Sequence, residues 1–212
     1  MKKVFLSTLT LALVMSGLLM TSCKKEKTTE PEPTVEEPTK LDTTSYYFQG
    51  EIDGTVVTFA QAVNGFYSGG NDSGVPGTGG SYIADQGSLM MNPTTKVQFG
   101  YEIVKKFAST PTNLQIYNMF GIQSYGYTDK DHTIDGAEIG YADEAGNYWS
   151  TTNGTGSQTG STFKITECTS YTIQYPFNAI VKVKFSCKLY DSKGNSKTVK
   201  NGTLRGYGVI YP

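Results

Sequence analysis

The chain has 212 residues, a formal net charge of −1, 24 glycines, 15 tyrosines and 10 phenylalanines. Its only arginine is Arg205, so the composition argues against a dedicated nucleic-acid or phosphate surface. Abundant Gly, Tyr, Phe and Thr favour strands joined by tight turns over helices, and the length suits one core.

The N-terminus carries Lys2 and Lys3, an apolar run from Val4 to Met20, then Thr21-Ser22 before Cys23. Seventeen residues fall short of the roughly 20 needed to span a bilayer, and the run ends in a processing site, so residues 1–22 read as a secretion signal. The match resembles a lipobox, and the Ser22-Cys23-Lys24-Lys25-Glu26 junction resembles lipoproteins of Bacteroidota. That resemblance implies an acylated Cys23 as first mature residue and a lipid anchor in the outer membrane, on its periplasmic or its cell-surface face.

Residues 23–44 hold Pro31, Pro33 and Pro38 among Thr, Glu and Lys, with no aromatic side chain. Such a stretch lacks the apolar surface to offset the entropy of ordering and reads as a disordered tether. At ~3.1 Å per residue it reaches up to about 60 Å. Within it, Asp42-Thr43-Thr44 resembles a short O-glycosylation motif of Bacteroidota extracytoplasmic proteins, which makes Thr43 the candidate acceptor.

The folded region is expected over residues 45–212. It opens with Tyr46 to Ile52, then Asp53-Gly54, then Thr55 to Phe59. Asp-Gly between two apolar-alternating runs predicts a hairpin, because a type I′ turn needs positive φ at both central positions. Asn64 to Gly80 holds seven glycines and no phosphate-loop Gly-Lys-Ser/Thr, so it reads as a long mobile connection. Val97, Phe99, Tyr101 and Ile103 alternate with polar residues and Gly100, giving a strand with one dry face. Ser109 to Phe120 is the least strand-like stretch and the place for a short helix.

Ala137, Ile139 and Tyr141 repeat the alternation, and a second hairpin turns through Asp143 to Asn147 into Tyr148-Trp149. The cleanest pattern is Val181, Val183, Phe185, Cys187 and Leu189 against Lys182, Lys184, Ser186 and Lys188, turning at Asp191 to Asn195 and returning to Tyr211. Short strands at regular spacing predict an all-β fold, an antiparallel β-sandwich or, alternatively, a closed lipocalin-like β-barrel. The runs Phe48 to Phe59, Tyr141 to Tyr148 and Val183 to Gly206 together resemble small uncharacterised Bacteroidota lipoproteins. The resemblance implies a β-sandwich and brings no catalytic residues with it.

His132 is the only histidine and sits in a polar stretch that reads as an exposed loop. Neither a Gly-x-Ser-x-Gly elbow nor a His-Glu-x-x-His zinc pattern exists. Asp129, Asp131, Asp135 and Glu138 form an acid-rich segment, the candidate calcium ligands, although the spacing departs from the EF-hand loop; two adjacent Asp-rich turns are the other reading. No other cofactor is implied. Tyr125, Tyr127, Tyr148 and Trp149 are the candidate aromatic platform for sugar rings, or else core filling. Cys168 and Cys187 remain after lipidation and form either a disulfide or a pair of buried thiols. With no catalytic set assembled, the expected role is a noncatalytic envelope module binding a glycan or another envelope protein. The alternatives are a glycan hydrolase with paired acids and a purely structural lipoprotein.

Overall fold

The computed structural model describes residues 46–77, 81–154, 157–172 and 177–210. The chain divides into two units, Met1–Lys40 and Leu41–Pro212, and the fold below is that of the second. Cys23, Thr43 and the tether lie outside the described residues.

Strands β1 (Tyr47–Ile52) and β2 (Thr55–Ala60) form the expected hairpin. Asp53 and Gly54 take φ of 51° and 81°, and the Asp53 carboxylate accepts from Thr198 N at 2.8 Å, tying the turn to the strand beside β1. The glycine-rich segment departs from expectation. Tyr67–Pro76 is a strand, β3, paired along its whole length with β4 (Tyr82–Met91). A backbone ladder needs no side chains, so glycine density weakens a strand without forbidding one.

Strand β5 (Gln98–Phe107) follows, then helix α1 (Asn113–Met119), whose capping box joins Thr112 and Gln115. Ile116, Met119 and Phe120 are buried, and Phe120 lies against Gly208. The short β6 (Ser124–Tyr125) leads to β7 (Gly136–Ala142) and β8 (Tyr148–Ser150), joined by the second expected hairpin. Last come β9 (Thr162–Thr172), β10 (Phe177–Tyr190) and β11 (Ser196–Ile210).

All ladders between these strands are antiparallel, in the order β2-β1-β11-β10-β8-β7-β5-β4-β3, with β9 on β10 and β6 on β9. The sheet branches at β10. Residues 178–186 pair with β9, whereas Tyr190 pairs with Ser150 of β8. The sheet curls until β3 and β4 meet β11, giving an all-β, nearly closed barrel-like fold in which one layer, β3–β4–β5–β7–β8, faces the other, β2–β1–β11–β10–β9, across the core. A methyl group on Gly206 of β11 would stand 2.8 Å from Ser88 Cβ of β4, so the layers touch there.

The interior is filled with aromatic rings. Phe48 of β1 stacks on Phe99 of β5 at 3.7 Å between centroids, and Phe163 of β9 stacks on Phe185 of β10 at 6.2 Å. Where a lipocalin-like calyx would hold a ligand, this domain holds its own core.

Candidate functional site

Alternation along β5 sends Phe99, Tyr101 and Ile103 inward and leaves Gly100 and Glu102 on the outer face. On β7, Ile139 goes inward and leaves Glu138 and Gly140 outside. Register then places Gly100 opposite Gly140 and Glu102 opposite Glu138. Two glycines side by side leave a depression of about 240 Å³, walled by Leu89, Tyr148, Glu102 and Glu138. A methyl on Gly140 would come within 2.7 Å of Tyr148 Oη, so the tyrosine lies across the glycine floor.

Like charges directly opposite one another destabilise a sheet, and here Glu138 is supported by donors. Its Oε1 accepts from Ser150 Oγ at 2.5 Å and Thr152 Oγ1 at 2.7 Å. Its Oε2 accepts from His132 Nε2 at 2.9 Å, while His132 Nδ1 stands 3.7 Å from Asp85 Oδ1 on β4.

The loop over residues 126–135 delivers His132 to the sheet. Asp129 closes its turn by accepting from the backbone and hydroxyl of Thr133. Thr128 Oγ1 donates to Ile134 O, and the Asp135 carboxylate accepts from Lys106 N at 2.9 Å. His132 itself adopts φ 49°, a left-handed conformation that turns its ring back toward Asp85 and Glu138.

Electrostatics follow the geometry. Burial lowers the His132 pKa, but the Glu138 hydrogen bond and the Asp85, Glu138 and Glu102 charges outweigh it, and the net shift is upward. Burial raises the Asp85 carboxyl, with His132 and the Ser73 hydroxyl opposing. Desolvation, with Glu138 and Glu102 nearby, pushes the Tyr148 phenol up to about 12, so it remains a neutral donor. The depression therefore offers an aromatic face, a phenolic O–H and a carboxylate-rich end. It lacks the nucleophile arrangement of a triad, because the Ser150 and Thr152 hydroxyls donate to Glu138 while the His132 ring nitrogens face two acids.

The four aromatic candidates separate. Tyr148 is 54% exposed, whereas its neighbour Trp149 points inward at 9% exposure, donates Nε1 to Asp143 at 3.0 Å and lies under Lys197 Nζ at 4.4 Å. Tyr125 donates to Met119 O at 2.6 Å, and Tyr127 bonds Thr162 O and Ser186 O. These bonds hold both rings against the core, so of the four candidates Tyr148 is the one that lines the depression.

The acid-rich segment does not gather either. Asp129 is engaged with Thr133, Asp135 with Lys106 N and Glu138 with the outer face of the sheet, leaving Asp131 apart from all three interactions. Among the described residues no group of three or more His, Cys, Asp or Glu forms a metal cage.

Cys168 and Cys187 are both free. Register puts Cys168 opposite Val181, six residues along β10 from Cys187, so the bridged alternative fails on distance. Bulges at Thr166 and Tyr171 on β9 set this register. Burial raises Cys168 and pushes Cys187 up to about 12, keeping both as thiols.

Sequence reasoning missed Asp85, Glu102 and the paired glycines. The alternation of β5 already put Gly100 and Glu102 on one wet face, but nothing local names the strand that lies beside it. No family model, curated protein or solved structure matches this chain.

Proposed function

We propose that the protein is a lipid-anchored outer-membrane protein whose β-domain is a noncatalytic binding module, with a glycan as the ligand class that best fits the Tyr148 depression. Signal-like residues 1–22 and the lipobox-like approach to Cys23 support the anchor. The exposed Tyr148 ring beside Gly100 and Gly140, with Glu102 and Glu138 at one end, carries the binding reading. Sugar C–H faces stack on aromatic rings, and carboxylates accept from ring hydroxyls.

Cys23→Ala should release the protein from membrane pellets, and undiminished retention refutes the anchor. The soluble unit Leu41–Pro212 should bind members of an oligosaccharide array, and Tyr148→Ala should cut that binding at least tenfold at unchanged melting temperature. Binding indifferent to Tyr148 removes this depression as the site.

A hydrolase is the second reading, favoured by one observation: two carboxylates directly opposed across neighbouring strands at the rim of a groove. Polysaccharide turnover that vanishes in Glu138→Gln, with glycan binding retained, would favour it.

A further inference from the structure

The opposite layer carries a second surface, unrelated to the Tyr148 depression. Along β10 the inward residues Val181, Val183, Phe185 and Cys187 leave Lys182, Lys184, Ser186 and Lys188 on the outer face. Lys184 pairs directly with Lys164 of β9 on one side and with Thr203 of β11 on the other. The row continues to Ser124 of β6, opposite Lys164.

Two exposed ammonium groups on directly opposed positions repel one another, and neither Lys164 nor Lys184 forms an ion pair among the described residues. The nearest acid along the β9–β10 ladder, Glu167, is taken by Lys182 at 2.9 Å. The lysines border an open groove of about 600 Å³ whose other polar lining includes the hydroxyls of Ser124, Thr162, Ser186 and Thr203. Asp85, Glu102 and Glu138 lie on the outer face of β4, β5 and β7, away from Lys164, Lys184 and Lys188 on β9 and β10, where Glu167, paired with Lys182, is the acid on the ladder.

We infer that this β9–β10–β11 face is a binding surface for an anionic polysaccharide, a linear chain of sugars bearing carboxylate or sulfate groups. An uncompensated lysine pair costs stability in the free protein, and a ligand anion set between the two ammoniums relieves that cost. Hydroxyls interleaved with the lysines hydrogen-bond sugar hydroxyls. Arg205 of β11, opposite Lys182, adds a further cation to the same face. Such contacts are exposed, so binding weakens steeply with ionic strength.

The test is titration of the purified full chain with polygalacturonate at low and at physiological salt, beside neutral dextran and anionic phospholipid vesicles. Polygalacturonate should bind, dextran should not, and salt should weaken the interaction at least tenfold. Lys164→Gln with Lys184→Gln should lower affinity at least tenfold while the melting temperature holds or rises, because the repulsion is gone. Lys193→Gln, in the β10–β11 turn, serves as the control and should bind as the parent does. Equal binding of dextran, unchanged affinity in the double variant, or binding to vesicles without binding to polygalacturonate would each overturn the inference. The lysine double variant should keep the oligosaccharide-array binding that Tyr148→Ala weakens, so failure here and failure of the glycan depression are read separately.

Discussion

At the residue scale the informative side chain is His132, which joins β4 and β7 electrostatically through Asp85 and Glu138. Its pKa in the folded state lies above the unfolded value of about 6.5. The stabilisation this represents is fully present below pH 6.5 and is lost as pH rises through the folded value. The carboxylates facing the ring are Glu138, Asp85 and Glu102, and burial raises the Asp85 carboxyl above its usual range. His132→Gln should therefore cost about 1 kcal/mol, the scale of a partly exposed ion pair, at pH 5.5. By pH 9 that cost should have largely gone, leaving only a constant offset from placing Gln at positive φ. Chemical denaturation at the two pH values checks this, and an equal cost at both would remove the ion pair from the account. Nothing in the Tyr127-to-Thr133 sequence announced this role. The segment is polar and reads as an exposed loop, and Asp85 is too distant in the chain for any spacing rule to reach.

At the scale of elements, legibility followed side-chain alternation. The β1–β2 and β7–β8 hairpins, β5, β10 and the short helix were all readable, because turn chemistry and period-two burial are local. Strand β3 was not, since Tyr67–Pro76 is rich in glycine and its ladder to β4 rests mainly on backbone bonds. The same smallness explains how the layers meet: Gly206 leaves room for Ser88 where any side chain would strike it. Gly206→Ala should therefore destabilise by about 1–3 kcal/mol, the usual cost of overpacking a filled interior. Adding Ser88→Gly should recover part of that loss by opening space opposite the new methyl. Melting temperatures of the two single variants and the double variant give the coupling directly. Simple additivity, with no recovery, would mean that β4 and β11 do not touch at this point.

At the scale of the whole molecule, the aromatic core is what makes two layers one folding unit. Phe99 is fully buried and stacks on Phe48 at 3.7 Å with the planes 9° apart. It also lies 6.0 Å from Phe185 and 5.7 Å from Tyr141, so one ring from the β5 layer touches both layers. Tight packing leaves neighbours little freedom to collapse into the space of a deleted ring. Phe99→Ala should cost about 3–5 kcal/mol, a large share of the roughly 5–15 kcal/mol that holds a domain folded. The denaturant midpoint should fall while the slope stays constant, as expected when stability changes without a change in the surface exposed. Trp149, the only tryptophan, reports from the β5–β7–β8 layer, and far-UV circular dichroism reports from both layers. If the shared ring stack couples the layers, the two signals trace one transition in the parent and in the variant alike. A fluorescence transition separated from the far-UV transition in the parent protein would show that each layer folds on its own and that the stack is packing without coupling.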